Sequence, residues 1–218
     1  MIEALPDPKH IWYDGATIHV YTGDDIPPTP EMIAQQHAAL SQAIGECVTA
    51  WSNVELQLST IFRDCVGSAV DIADSIWASV ISFDGRRKML HSVLRKRLGD
   101  SVLTNDWKLF YNHIGRMNER RNEVVHATML NVESKVIMLE PYFVMSLPKQ
   151  HLSISDVKSR TSDFCELANA LNWLSHQSPL SRWQQPAFLL PIPDLLLRLR
   201  AEANKSRKNS KRSEKSTD

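Results

Sequence analysis

Hydrophobic residues recur at helical spacing in five stretches of the chain, four before residue 127 and one after residue 152. The longest stretch alternates spacings of four and three residues, which is typical of one apolar seam along a helix. Its positions are Leu40, Ile44, Cys47, Trp51, Val54, Leu58, Ile61 and Cys65. Thr29 can cap this helix and Pro30 suits its first position. The pattern predicts a mainly α protein.

Four shorter amphipathic helices are predicted after the first one. Ser68 is the candidate cap of the second, and Gly99 is expected to end the third. Thr104 or Asn105 is predicted to cap the fourth helix, and the fifth is expected to start near residues 153 to 155. The apolar positions of the fifth helix are Val157, Phe164, Leu167, Ala168, Leu171 and Leu174. The chain should therefore form a bundle of about five helices.

Two segments outside these helices have β character. Residues 129 to 146 are rich in β-forming side chains and are interrupted by Pro141, so two or three short strands are predicted there as a small β insert. Residues 1 to 29 contain four prolines and an alternating apolar piece near residues 17 to 21. We interpret them as an arm that packs on the bundle and carries a short strand.

The length and composition favour one core. A chain of 218 residues with 43% hydrophobic content can bury a single sizeable core, which we assign to a helical domain over residues 30 to 178. Residues 179 to 203 are predicted to be a proline-rich segment followed by a short C-terminal helix. Residues 204 to 218 contain basic and polar side chains with nothing apolar, so a disordered basic tail is expected.

Charge is balanced overall but uneven along the chain. Lysine plus arginine and aspartate plus glutamate each number 25, which gives no global indication of a nucleic-acid partner. The third helix concentrates positive charge on six residues with no acid among them: Arg86, Arg87, Lys88, Arg95, Lys96 and Arg97. Such a run is either a solvated face that aids solubility or a surface that follows a phosphate backbone.

The cysteine spacing and the hydropathy of the chain indicate the cellular compartment in which the protein is expected. Cys47, Cys65 and Cys165 match no metal-binding or redox spacing, so we interpret them as core thiols in a reducing cytoplasm. No apolar run approaches the roughly 20 residues that span a bilayer, and the first residues lack the features of a signal peptide. A soluble cytoplasmic protein without membrane contact is expected.

The fourth helix carries an arginine where its pattern calls for an apolar residue. Its hydrophobic stripe is formed by Phe110, Ile114, Met117, Val124 and Val125. Arg121 falls in the middle of this stripe, and Asn122 and His126 lie one turn apart on its flank. Because burying an unpartnered guanidinium is costly, a buried or half-buried Arg121 requires a specific role.

The string Arg121-Asn122-Glu123-Val124-Val125-His126 resembles the motif of the HEPN superfamily (higher eukaryotes and prokaryotes nucleotide-binding domains). That motif is an arginine, four to six residues, then a histidine, usually with a polar residue directly after the arginine. Trp51 to Glu55 also resembles the first long helix of several HEPN families. The resemblance covers about residues 30 to 178 and implies an up-and-down HEPN-like bundle that pairs two motifs across a homodimer.

The resemblance implies a metal-independent endoribonuclease that leaves a 2′,3′-cyclic phosphate, acting as a toxin or defence effector. His126 would exchange protons, Arg121 would hold two phosphate oxygens, and Asn122 would orient the ribose, the phosphate or His126. Arg86, Arg87 and Arg120 are the predicted RNA-binding residues. No cofactor or metal is expected, because the chain has no glycine-rich phosphate loop, no HExxH string and no acidic cluster. An antitoxin or nucleotidyltransferase partner is a further expectation.

Two other interpretations account for the same residues. A noncatalytic HEPN module would bind nucleotide, RNA or a protein partner and cleave nothing. In an unrelated helical scaffold, Arg121 would hydrogen-bond a carboxylate such as Glu55 or Asp64, and the negative end of the helix dipole would favour a charged His126.

Overall fold

A computed structural model describes residues 10–13, 18–21, 29–67, 69–132, 136–141, 152–177 and 191–214. Within these residues the chain is mainly helical, as the sequence predicted. The helices are α1 (Pro30–Val66), α2 (Val70–Ser79), α3 (Phe83–Leu98), α4 (Val102–Val125), α5 (Ile154–Ser175) and α6 (Asp194–Glu214). The strands are β1 (His10–Tyr13), β2 (Ile18–Tyr21), β3 (Ala127–Val132) and β4 (Val136–Pro141).

Helix α1 begins where the sequence predicted. The Thr29 hydroxyl accepts a hydrogen bond from the Met32 N–H at 3.3 Å, and the Thr29 carbonyl accepts one from the Ile33 N–H at 3.1 Å. The predicted seam is buried at seven of its eight positions, and Ile44 is half-buried. The 4-3 spacing therefore identified the inward face of α1 along most of its 37 residues.

Two predicted helix caps are wrong. Ala69 occupies the N-cap position of α2 without a side-chain hydrogen bond, whereas Ser68 lies outside the described residues. Helix α4 starts at Val102, before both predicted caps, because the Ser101 hydroxyl and carbonyl accept the Thr104 N–H at 3.3 and 3.2 Å. The third helix ends as predicted, since Gly99 has a φ of 57° and donates its N–H to the Arg95 carbonyl.

The chain divides into two compact units, and the assignment of one helical domain to residues 30 to 178 stays a prediction. The first contains Met1–Ala50 and Glu119–Asp163, and the second contains Trp51–Asn118 and Phe164–Asp218. Each unit draws on two separate stretches of chain. For this reason no composition shift or linker along the sequence marks the division.

The first unit contains a four-stranded sheet in the order β1-β2-β3-β4. Strands β1 and β2 are antiparallel, β2 and β3 are parallel with Ile18 opposite Leu130, and β3 and β4 are antiparallel with Ala127 opposite Pro141. The arm thus supplies two strands that pair with the segment directly after α4. Residues 142 to 146 of the predicted β insert lie outside the described residues.

The second unit is closed by aromatic packing and by the start of α6. The Trp51 ring lies 5.1 Å from both the Phe83 and the Phe164 ring centroids. The five predicted apolar positions of α5 that lie in this unit are all buried, and so is Val157, which lies in the first unit. On α6, three leucines are buried: Leu195, Leu196 and Leu199. Apolar side chains at helical spacing therefore place α5 and the first turns of α6 against the core.

The prediction of a disordered tail is wrong over residues 204 to 214, which continue α6 as helix. Lysine and arginine are good helix formers, and extending an existing helix costs far less than nucleating one. The C-terminal helix therefore has 21 residues instead of the short element predicted. Residues 215 to 218 lie outside the described part of the chain.

The cysteines differ in their environments. Cys47 and Cys65 are buried, as expected for core thiols, and burial raises the pKa of the Cys65 thiol to about 12. Cys165 is exposed, which corrects the prediction of a third core thiol. It follows the buried Phe164, and consecutive residues on a helix point about 100° apart. Among the described residues, no helix is both long and apolar enough to cross a bilayer.

Candidate active site at the end of helix α4

The last turn of α4 brings Arg121 and Asn122 into direct contact. Arg121 Nη1 donates a hydrogen bond to Asn122 Oδ1 at 2.8 Å, and both residues are half-buried. The burial is consistent with the predicted position of Arg121 among apolar neighbours: Val124 is buried on the same helix. The contact orients one edge of the guanidinium and fixes the amide oxygen of Asn122.

His126 is the first residue after α4. Its backbone N–H donates to the Asn122 carbonyl at 3.0 Å, so the helical hydrogen-bond pattern extends to it. Its side chain is exposed. An imidazole at this position is accessible to a ligand, while its backbone is held one turn from Asn122.

A buried arginine from α5 holds the same turn of α4. Arg160 Nη2 lies 2.6 Å from Glu123 Oε2, and Arg160 Nη1 donates to the Arg120 carbonyl at 2.6 Å. Its Nε is buried without a hydrogen-bond partner among the described residues. Sequence reasoning missed Arg160, because an arginine in an amphipathic helix looks like a surface residue. Its position one turn after Val157 and one turn before Phe164, two buried apolar residues, was the available signal.

Arg120, a predicted RNA-binding residue, is paired within the chain. Its Nη1 lies 2.6 Å from Asp163 Oδ2, with the two side chains 36% and 38% exposed. This pair joins α4 to α5 beside the Arg160 contacts. A phosphate that approached Arg120 would compete with the Asp163 carboxylate.

Arg86, the second predicted RNA-binding residue, is held by three groups of the second unit. Its Nε donates to the Val80 carbonyl at 2.7 Å, and its Nη1 lies 3.6 Å from Glu55 Oε2. Its guanidinium lies 5.8 Å from the centre of the Trp77 ring. Glu55 also accepts a hydrogen bond from Trp51 Nε1 at 2.7 Å. Arg86 therefore joins the α2–α3 connection to α1. That Glu55 or Asp64 holds Arg121 stays a prediction.

Arg87, the third predicted RNA-binding residue, is packed against α4. Its Nη1 donates to the Tyr111 carbonyl at 3.0 Å, its Nη2 donates to Asp84 Oδ1 at 2.7 Å, and its guanidinium lies 4.3 Å from the Tyr111 ring centre. A Cβ at Gly115 would collide with this guanidinium, so a glycine permits the close approach. Asp84 also pairs with Lys88 at 2.6 Å, which corrects the prediction of an acid-free third helix. Arg87 therefore packs against α4, and its binding to RNA stays a prediction.

The apolar stripe of α4 is core over most of its length. Trp107, Ile114 and Val124 are buried within the chain, so their side chains are not available to a second subunit. Val125, beside His126, is 43% exposed. It is the member of the predicted stripe that remains accessible.

In the described part of the chain, no group of three or more His, Cys, Asp or Glu side chains is placed to hold a metal ion.

The chain matches no protein-family model, no curated protein sequence and no solved structure at a significant level. Membership of the HEPN superfamily therefore remains a prediction based on the Arg121–His126 string and its place at the end of a helix.

Proposed function

We propose that the protein is a metal-independent endoribonuclease of HEPN type, with Arg121, Asn122 and His126 as its catalytic residues. The observation that carries the proposal is the arrangement at the end of α4. The Arg121 guanidinium is hydrogen-bonded to the side-chain amide of Asn122, and the exposed imidazole of His126 follows one helical turn later. A fixed cation and an accessible proton-transfer group are what RNA cleavage without a metal requires.

In the proposed reaction the RNA supplies its own nucleophile. The 2′-oxygen attacks the adjacent phosphorus and gives its proton to a base, while the 5′-oxygen leaves and takes a proton from an acid. The products are a 2′,3′-cyclic phosphate and a 5′-hydroxyl. Arg121 neutralises charge on the phosphorane oxygens, and His126 transfers one of the two protons.

A second histidine completes the acid–base pair if two chains present their motifs to each other. We therefore propose a homodimer, supported by the exposure of Val125 and His126 at the end of α4. Light scattering at micromolar concentration should give twice the chain mass. An active monomer would contradict this part of the proposal.

The test of activity is cleavage of total RNA in EDTA by the wild type and by Arg121→Ala and His126→Ala. Arg116→Ala and His113→Ala are matched controls, since they remove the same side-chain types from the same helix. The proposal predicts cleavage by the wild type and by both controls, and its loss in the two motif variants. Loss of activity in EDTA that magnesium restores would overturn it.

The second candidate is a noncatalytic HEPN module that binds nucleotide, RNA or a protein partner. It is favoured by the Arg121–Asn122 hydrogen bond, which already occupies one donor of the guanidinium. Tight binding of RNA without any cleavage, weakened in Arg121→Ala, would support this candidate instead.

The biological setting forms part of the same proposal. A ribonuclease toxin or defence effector acts in the cytoplasm and needs a restraining partner, for which an antitoxin or a nucleotidyltransferase is proposed. Co-purification of the natively expressed protein, followed by mass spectrometry, tests for that partner. Recovery of the chain as an active nuclease with nothing bound would contradict this extension.

A further inference from the structure

Several cations on α3 and α4 have no carboxylate partner among the described residues. Arg95, Lys96 and Arg97 are exposed in the last turn of α3, and Lys108 is exposed in the first turns of α4. They differ in this respect from Arg86, Arg87 and Arg120, which are paired within the chain. If RNA phosphates contact this protein outside its motif, the uncommitted cations are better placed to do so than the predicted ones.

Helix spacing and one hydrogen bond place three cations of the second unit near one imidazole, because Lys108 directly follows Trp107, which donates to His91. Burial is the main cause that lowers the pKa of His91, and the positive charges of Arg95, Lys108 and Arg87 add to it in that order. Arg87 and Arg95 lie one turn before and after His91 on α3, whereas Lys108 comes from α4. Two helices thus bring their positive charge to the same place.

The imidazole at the centre is fixed by aromatic neighbours. Trp107 Nε1 donates to His91 Nδ1 at 3.1 Å, and the Tyr111 ring lies 4.5 Å from the His91 ring. Trp107 is fully buried, so it anchors the contact. Because Nδ1 accepts a hydrogen bond, the proton of the neutral ring is on Nε2, which has no hydrogen-bond partner among the described residues. That N–H adds a hydrogen-bond donor to the positive charges of Arg95 and Lys108.

We propose that Arg95, Lys108 and the half-buried His91 form a contact surface for the phosphates of RNA, here called the His91 surface. The proposal rests on the proposed function for its choice of ligand. Phosphate oxygens accept hydrogen bonds from guanidinium, ammonium and imidazole groups, and two neighbouring phosphates of one strand can use all three donors.

Asp84, the acid of α3, does not neutralise this surface. Asp84 is bound by both Arg87 and Lys88, and those contacts hold the pKa of its carboxyl below the usual range. Its charge is therefore already balanced by two cations. A ligand that brings its own negative charge relieves the repulsion among Arg87, Arg95 and Lys108.

Binding is best measured with RNA that cannot be cut. A fluorescent single-stranded RNA with 2′-O-methyl groups throughout removes the nucleophile, so affinity can be followed by anisotropy over a range of salt concentrations. The test variant is Arg95→Gln with Lys108→Gln. The control is Lys158→Gln, an exposed lysine on α5 in the first unit. Single-stranded DNA of the same sequence shows whether the phosphates alone are recognised.

The slope of log affinity against log salt should fall by roughly 0.7 for each phosphate that the protein no longer neutralises, hence by roughly 1.4 in the double variant and not in the control. Thermal melting should show both proteins folded, because the substituted side chains are exposed. An unchanged slope in the double variant would overturn the His91 surface. Cleavage of ordinary RNA by the same preparation separates this failure from a failure of the proposed function.

Discussion

Arg160 Nη2 and Glu123 Oε2 lie 2.6 Å apart, with the arginine side chain only 5% exposed. The pair joins α5 to the turn of α4 that follows Asn122. Since Arg160 also donates to the Arg120 carbonyl, it contacts the residues on both sides of the Arg121-Asn122 pair. The position of the candidate catalytic residues therefore depends on a buried cation outside the motif.

Removing Glu123 should be strongly destabilising. Glu123→Ala leaves the Arg160 guanidinium buried without its carboxylate, and breaking such pairs costs about 3 to 5 kcal/mol. Arg198→Ala is the matched control, because the Arg198–Glu166 pair is largely exposed and should contribute about 1 kcal/mol or less. Urea unfolding measures the free energy of unfolding of both variants. Equal free energies of unfolding for the two variants would show that the Arg160 site is open to water.

Acid should destabilise the fold through His91. The folded state lowers the pKa of this imidazole. Below the ordinary histidine pKa of about 6.5 the unfolded chain therefore binds the proton more readily than the folded chain. The free energy of unfolding should decrease as the pH is lowered through this range. Protonation of Nδ1 also removes the acceptor of the Trp107 hydrogen bond. His91→Gln should reduce the loss of stability between pH 7 and pH 5. Parallel pH profiles for wild type and His91→Gln would contradict the assignment.

The two halves of α6 should differ in their contribution to stability. Arg200 Nε and Nη2 donate to the buried carboxylate of Asp106 at 2.8 and 2.6 Å, and these bonds raise the pKa of Arg200. All the buried leucines of α6 precede this arginine. Deleting residues 204 to 218 should change the free energy of unfolding by about 0.5 kcal/mol or less, the usual effect of surface changes.

Deleting residues 194 to 218 should instead cost several kcal/mol, because Asp106 loses its partner and the surface beneath the leucines is exposed. Thermal unfolding monitored by circular dichroism compares the stability of the two truncated proteins. A large loss of stability from the shorter deletion would show that the basic half of α6 packs on the folded chain.

Within the motif, shape should matter as well as charge. Arg121→Lys keeps the positive charge but loses the planar fork and its bond to Asn122, so the cleavage rate should fall by roughly 10² or more. Asn122→Asp keeps an oxygen that can accept from Arg121 and should be milder. Arg116→Lys on the same helix is the control. Full activity of Arg121→Lys would mean that a point charge is sufficient at this position.

Helical periodicity predicted the buried faces of α1 and α4 well. The stripe of α4 and the seam of α1 are buried at nearly every predicted position, because a helix that packs on one side must repeat its apolar residues every three or four positions. The extent of α6 was not predictable in the same way. Beyond residue 203 it has no apolar face, and its helix extends from an anchored beginning.

Contacts between residues that are far apart in the sequence could not be predicted. Asp106 and Arg200 are 94 positions apart, and Arg160 is 40 positions from the Arg120 carbonyl that it holds. No local pattern pairs such residues. The sequence likewise shows the charge of Arg86 and Arg87 but not the carbonyls, carboxylates and rings that surround them. That these two arginines bind RNA stays a prediction.

The chemistry of the cut ends tests the proposed mechanism most directly. An oligonucleotide with one ribonucleotide at the site cut in unmodified RNA, and 2′-O-methyl groups elsewhere, is incubated with excess protein in EDTA and examined by mass spectrometry. We predict a single cut that leaves a 2′,3′-cyclic phosphate and a 5′-hydroxyl, with a rate that falls by roughly 10² to 10⁴ in His126→Ala. Cuts beside 2′-O-methyl residues, or an unaltered rate in His126→Ala, would contradict the assignment of the Arg121–His126 motif to catalysis.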